Sequence, residues 1–180
     1  MDEVLTGSVI AAVIAAITLL ASSFLTHRLT VRREDRADQR AVQREAASAL
    51  TEALQNIRRV VEHSGIQPVR PQTISEAVGS WETVYRKYAT RIPRQGQHVR
   101  QSVAIALGEL FGAVGWSNFH PQDADFDVSE HSQLWWDNAD AYLIYLVDRF
   151  SRWYDDPHAA HKLLILNFDT WLANRERLFL

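Results

Sequence analysis

Residues 4–25 read VLTGSVIAAVIAAITLLASSFL and carry no charged side chain. As an α-helix rising about 1.5 Å per residue, this stretch would extend about 33 Å, enough to cross a hydrocarbon core of about 30 Å. Its hydroxyl groups can hydrogen-bond to carbonyl groups of the same helix, so that the backbone stays satisfied in lipid. The stretch therefore predicts a transmembrane anchor over residues 1–26.

A cleaved signal peptide is the alternative interpretation, with Ala21, Ser22 and Ser23 as small residues near a cleavage site. A signal peptide carries positive charge before an apolar core of about 7–15 residues. In this chain Asp2 and Glu3 precede the core, and the core is longer. Both features favour an anchor that stays attached to the chain.

Four arginines follow the apolar stretch closely, whereas no Lys or Arg precedes it: Arg28, Arg32, Arg33 and Arg36. Under the positive-inside rule this asymmetry predicts a single-pass protein of the cell (inner) membrane, with the N-terminus outside and the C-terminal domain in the cytoplasm. The same arginines are candidates for contact with anionic lipid headgroups at the membrane surface. The interspersed Glu34, Asp35 and Asp38 weaken that attraction, which favours a topology determinant and spacer instead.

Small residues recur at four-residue spacing within the predicted anchor, at Gly7, Ala11 and Ala15. This spacing lets two transmembrane helices approach closely and would favour self-association. The alternative is that Ala and Gly are simply common in such spans. Self-association is therefore one of two expected interactions, the other being with a different protein.

Residues 27–45, HRLTVRREDRADQRAVQRE, form a charged stalk that contains no Gly or Pro and is expected to continue the anchor helix. The run Thr26-His27-Arg28, followed by Arg32-Arg33-Glu34-Asp35-Arg36-Ala37-Asp38, resembles a set of uncharacterised actinobacterial single-span membrane proteins. Those proteins combine a charged juxtamembrane helix with a helical C-terminal domain. The resemblance covers about the first third of the chain and implies no activity or site residue.

Residues 46–180 are predicted to form a helical domain. Apolar residues recur at the period of an α-helix from the first part of this region, at Ala46, Leu50, Leu54, Ile57 and Val61. Six Trp, seven Phe and five Tyr supply enough large side chains for a core. The predicted fold class is all-α, with the anchor helix continuing into the stalk and then a bundle of four or five helices.

Helix boundaries in this domain follow from capping residues. Thr73, with Glu76 three residues later, predicts that a second helix starts with a capping box. A third helix is expected to extend through Gly108, Gly112 and Gly115, where close helix–helix approach would compensate for the cost of each glycine.

The last two helices are also expected to begin at aspartates. Asp127 would cap a fourth helix, whose centre at 141–147 is apolar on all sides and is the best candidate for a buried central helix. A buried strand is the alternative for that segment. Asp156 would cap a fifth helix with Pro157 at its first position.

Composition excludes whole classes of site. Cysteine is absent, which removes thiol nucleophiles, Cys-ligated metals and disulfides. The 19 Lys and Arg are outnumbered by 22 Asp and Glu without a basic stripe, so no nucleic-acid partner is predicted. Gly108-Glu-Leu-Phe-Gly112 lacks the Lys-Ser/Thr of a phosphate loop, and no other pattern predicts a cofactor or a catalytic residue.

Two groups of residues are candidates for cation sites. His158 and His161, with Asp155 just before them, could hold a divalent metal, although solvent-facing histidines are the more ordinary interpretation. The segment 120–127 alternates three aspartates like the start of a calcium loop. Val128 and Leu134 stand where that loop needs Gly and Glu, which favours an acidic loop capping the fourth helix.

Trp135 and Trp136 are neighbours on a predicted helix and point about 100° apart, so they cannot both enter one core. With Trp116, Phe119 and Phe126 nearby in sequence, they are candidates for an aromatic surface that contacts a partner protein or the bilayer interface. The alternative is that both rings are buried between different neighbouring helices.

The function that this pattern favours is a membrane-anchored, cytoplasmic, helical interaction or scaffold module without enzymatic activity. One alternative is a membrane-bound, metal-dependent enzyme that uses His158, His161 and Asp155. Another is a small membrane effector or accessory subunit whose active part is the span itself.

Overall fold

The computed structural model describes residues 2–116 and 133–178, except for the side chains of residues 2–26, Leu29, Arg32, Ala113 and 176–178. These ranges contain five α-helices and no strand: α1 (Asp2–Ser64), α2 (Pro71–Tyr88), α3 (Val99–Phe111), α4 (Gln133–Asp155) and α5 (Phe168–Leu178). Short 3-10 turns occur at Arg94–Gly96, Gly112–Gly115 and Ala159–Lys162. The all-α class is confirmed, and the strand alternative for 141–147 is excluded.

The chain divides into two compact units, Met1–Val42 and Gln43–Leu180. Among the residues whose side chains are described, no helix is both long and apolar enough to cross a membrane. The predicted anchor at 1–26, including its Gly7, Ala11 and Ala15 face, lies outside those residues. The anchor and its topology therefore stay predictions.

In the second unit, α1 from Gln43 onward packs antiparallel against α4. Three hydrogen bonds join the helices: Arg44 Nε to the carbonyl O of Tyr154 (3.3 Å), Arg58 Nε to Asp140 Oδ1 (2.9 Å), and Trp136 Nε1 to the carbonyl O of Val61 (2.7 Å). Each step forward along α1 is matched by an equal step backward along α4. At about 1.5 Å per residue, these contacts run over about 26 Å of helix.

The helices α2 and α3 continue the antiparallel arrangement. Tyr88 Oη near the end of α2 donates a hydrogen bond to Glu45 Oε1 in α1 (2.6 Å), so α1 and α2 form a hairpin around the loop 65–70. Arg100 Nε in α3 lies 2.8 and 2.6 Å from the two carboxylate oxygens of Glu82 in α2. Glu82 is buried, and this ion pair offsets the cost of removing its charge from water.

Between the helices lies one apolar core, and the α1 stripe predicted from sequence is buried in it as expected. Tyr142 of α4 is at the centre of an aromatic cluster, with its ring centroid 5.1 Å from that of Phe168 and 5.2 Å from that of Trp171. Its Oη donates a hydrogen bond to the carbonyl O of Leu166 (3.0 Å). Burial raises the pKa of Tyr142 above the usual value for a tyrosine.

Two predicted boundaries are wrong for local reasons. The second helix begins at Pro71 rather than Thr73, and no side chain caps it, because proline already has the backbone φ that the first helical position requires. The third helix ends at Phe111 rather than continuing through the later glycines. Gly112 has a φ of 58°, a left-handed conformation that stops the helix and that residues with a side chain rarely adopt.

The fifth helix also differs from its prediction. Asp156 does cap a turn, since its Oδ1 accepts the backbone N–H groups of His158 and Ala159, but this turn is only the short 3-10 segment. A segment without regular secondary structure follows at 163–167, and α5 begins at Phe168 with Asn167 Oδ1 accepting the N–H of Thr170. In α4 the centre is buried or half-buried on every side except one, since Ile144 is the only exposed residue of 141–147. The predicted cap at Asp127 lies outside the described residues.

The buried hydroxyl of Tyr142 predicts how stability depends on alkaline pH. In the unfolded chain this tyrosine ionises near pH 10, whereas the raised pKa in the folded state keeps it protonated at higher pH. Its contribution to the free energy of unfolding is therefore fully present below about pH 10 and is lost as the pH rises through the folded-state pKa.

We expect Tyr142→Phe to lower the free energy of unfolding by about 1 kcal/mol at neutral pH, where the bond to Leu166 is lost. The variant should also lose stability less steeply than the wild type between pH 10 and 11.5. Chemical denaturation of both proteins in detergent micelles at several pH values would measure this. If the free energy of unfolding fell equally steeply with pH in both proteins, the raised pKa of Tyr142 would be contradicted.

Candidate functional site at the apolar end of the helical unit

The indole of Trp136 closes one end of the second unit. Its Nε1 donates to the carbonyl O of Val61, one turn before α1 ends, and its ring lies against Gly65 in the following loop. A Cβ atom on Gly65 would lie only 2.7 Å from Trp136 Nε1, so a residue without a side chain is required for this contact. The start of α4 is thereby fixed against the end of α1.

Exposed apolar side chains surround this junction. Ile66, which follows Gly65, is 84% exposed. Leu134 and Trp135, which precede Trp136, are 60% and 44% exposed. Three large apolar side chains therefore face solvent where α1 ends and α4 begins.

Trp116 lies at the same end of the unit. Tyr85 contacts Gln97 and Glu82 contacts Arg100, so a step forward towards α3 is matched by a step backward along α2, and the two helices are antiparallel. The end of α3 therefore comes beside the start of α2. The turn after α3 accordingly packs on α2, and the indole of Trp116 lies over Gly108 while remaining 48% exposed. We call Ile66, Trp116, Leu134 and Trp135 together the apolar end.

The structure separates the two neighbouring tryptophans as their spacing requires. Trp136 is half-buried against the core, whereas Trp135 is exposed, so the alternative in which both rings are buried does not hold. A partner-binding role for this pair is a prediction that the geometry does not test. Phe119 and Phe126 lie outside the described residues.

Sequence analysis missed two members of the apolar end, Ile66 and Leu134. Ile66 is not among the residues that the sequence patterns single out, and Leu134 enters them only as a position in a calcium loop. The one signal available is the large apolar residue directly after Gly65. Sequence analysis also expected helix–helix approach at Gly108, where the structure instead places the indole of Trp116.

The candidate metal ligands are at the opposite end of α4. His161 Nδ1 lies 2.8 Å from the carbonyl O of His158, and both side chains are exposed. Within 2–116 and 133–178, no three His, Asp or Glu side chains are grouped so that they could hold a metal ion. Asp155 instead lines an open cavity of about 380 Å³ between the end of α4 and the 3-10 turn, and neither histidine lines it.

The remaining predicted site residues belong to the stalk and the acidic loop. Arg28, Arg33 and Arg36 are exposed on α1, which is compatible with contact to lipid headgroups but does not test it. The side chain of Arg32 and the acidic segment 120–127 lie outside the described part of the chain.

The close contact at Gly65 predicts opposite effects for two Gly→Ala substitutions. Gly65→Ala should displace Trp136 and break its bond to Val61, lowering the free energy of unfolding by about 1–2 kcal/mol. Gly79→Ala is the matched control, since Gly79 is inside α2 with no atom within 4 Å of the added Cβ. This control should gain up to about 1 kcal/mol from helix propensity. Chemical denaturation in detergent would compare them, and equal midpoints would contradict the packing of Trp136.

Comparison with known proteins adds no further constraint on the site. No protein-family model, curated protein or solved structure matches this chain.

Proposed function

We propose that this chain is a membrane-anchored helical interaction and scaffold module, tethered by residues 1–26, whose C-terminal unit binds a protein partner through the apolar end. The observation that supports this most directly is the exposure of Ile66, Trp116, Leu134 and Trp135 at one end of the unit. Exposed apolar side chains gathered in one region are typical of interaction sites, whereas single ones are ordinary.

The composition of the apolar end suits a protein interface. Tryptophan is enriched among the residues that contribute most to binding, because its large ring buries much area at a small entropic cost. Trp136 is held in place by Val61 and Gly65, and it fixes the backbone from which Leu134 and Trp135 extend. A partner would therefore meet a surface that needs little rearrangement.

The apolar end lies at the opposite end of the helical unit from the residue at which the chain enters it. The chain enters this unit at Gln43, and the apolar end is at Ser64–Ile66, about 32 Å further along α1. A tether attached at Gln43 therefore leaves this surface remote from the attachment point. The positive flank of the predicted span favours a cytoplasmic location for the partner.

Substitutions at the apolar end should weaken partner binding. We expect Leu134→Asp and Trp135→Ala to weaken binding at least tenfold, because each removes buried apolar contact at the interface. Leu164→Asp is the matched control, since Leu164 is similarly exposed, at 63%, but lies beside Tyr145 rather than at the apolar end. Affinity capture from detergent extracts identifies the partner, and titration against the purified partner gives the affinities. Equal effects of Leu134→Asp and Leu164→Asp would rule out this surface.

The tether predicts that the full-length protein stays in the membrane fraction after alkaline carbonate extraction, because the span would lose its apolar burial in water. Its topology is measurable because the chain contains no cysteine. A cysteine introduced at Glu3 should react with an impermeant maleimide in intact cells, whereas one at Gln72 should react only after permeabilisation. Release by carbonate, or a mature N-terminus near residue 24, would refute the tether.

A further inference from the structure

The acidic and basic side chains of the stalk lie on opposite sides of α1. Residues 33–41 are helical, and all of their side chains are exposed. At about 100° per residue, Arg33, Arg36 and Arg40 fall within an arc of about 60°. The acids Glu34, Asp35 and Asp38 fall on the opposite side of the helix.

Within residues 33–41 this arrangement keeps opposite charges from pairing with each other. Residues three or four apart are neighbours on a helix surface. In this segment every charged pair at those spacings has like sign: Arg33–Arg36, Arg36–Arg40, Glu34–Asp38 and Asp35–Asp38. Each such pair destabilises an isolated helix by about 0.2–0.5 kcal/mol.

The structure agrees with this expectation. None of these six side chains forms an ion pair with another described residue. Both faces therefore remain available to opposite charges on another molecule.

We propose that residues 33–41 pair with the same segment of a second copy of this chain, as two parallel helices with Arg33 of each copy opposite Asp38 of the other. In parallel helix pairs, salt bridges join a flanking residue to the one five positions later on the partner helix. Arg33 and Asp38 have that spacing, with Ala37 on the contact line between them. Two bridges of this kind form in each symmetric pair.

The charges also select the orientation. In an antiparallel pair the basic flank would face the basic flank of the other copy, and the acidic flank would face the acidic one, which is repulsive. An anionic bilayer would neutralise the arginines alone. A parallel second copy pairs one charge of each sign in every Arg33–Asp38 bridge, which is why the charge pattern favours it over a lipid surface.

The pair depends on the proposed tether for its strength. The contact line consists of Glu34, Ala37 and Ala41, which bury little apolar surface between two helices. Tethering both copies to one membrane raises their effective concentration and aligns them in parallel. The inference therefore rests on the proposed anchor, and its test must separate the two.

Disulfide cross-linking in membranes tests the pairing, since the wild type has no cysteine. Ala37→Cys places a thiol on the contact line, and Gln39→Cys places one on the opposite side of the same helix. Both positions are exposed, which makes them a matched pair. We expect oxidation to cross-link Ala37→Cys at least ten times faster than Gln39→Cys, and equal rates would overturn the proposal.

Exchanging the charges of Arg33 and Asp38 then tests the salt bridge between them. In the Ala37→Cys background, Asp38→Arg and Arg33→Asp should each slow cross-linking several-fold by placing like charges opposite each other. Combining the two substitutions restores opposite signs and should restore the rate. A double variant that stays as slow as the single variants would overturn the Arg33–Asp38 assignment.

Carbonate extraction of the same membranes separates the two proposals. If the protein stays in the membrane and Ala37→Cys shows no advantage, the pairing is wrong while the tether stands. If carbonate releases the protein and the Ala37→Cys advantage persists in concentrated solution, the tether is wrong while the pairing stands. If the arginines act on lipid instead, Arg33→Asp leaves the ratio of the two cross-linking rates unchanged, and the pairing is overturned.

Discussion

The antiparallel packing of α1 on α4 is the constraint on which the rest of the second unit depends. It buries the apolar stripe of α1 from Ala46 to Val61, and each large side chain that is fully buried contributes about 1.5–3 kcal/mol. Polar contacts alone would contribute much less, since a hydrogen bond gives about 1 kcal/mol net. The bonds of Arg58 and Trp136 instead fix the register in which this burial occurs.

That register determines what each end of the unit presents to solvent. Because α4 begins where α1 ends, Leu134 and Trp135 are carried to the same end as Ile66, and the α2–α3 hairpin adds Trp116. At the other end, Tyr154 meets Arg44 close to the point where the chain enters the unit. The register of α1 on α4 thus places the apolar end and the entry point of the chain at opposite ends of the unit.

The stalk and the helical unit use charge in opposite ways. In the unit, Glu82 is buried and is held between α2 and α3 by Arg100, so its charge is satisfied internally. In the stalk, like charges lie at neighbouring helical positions and opposite charges lie on opposite sides. A buried carboxylate requires a partner within the fold, whereas an exposed and segregated set remains available to another molecule.

Local sequence determined much of this protein. The helical period placed the buried stripe of α1, and the adjacency of Trp135 and Trp136 required their rings to diverge. These inferences succeed because periodicity and side-chain direction are properties of a few consecutive residues. The anchor at 4–25 also follows from a local stretch alone, and it stays a prediction.

The composition of the apolar end and the start of the last helix depend instead on tertiary contacts. Ile66 and Leu134 are far apart in sequence and come together only when Trp136 packs on Gly65. Residues 163–167 are apolar enough for a helix, yet they are not helical, and the carbonyl groups of Leu164 and Leu166 accept hydrogen bonds from Tyr145 and Tyr142. Such contacts depend on distant side chains, so the local pattern of a single segment cannot specify them.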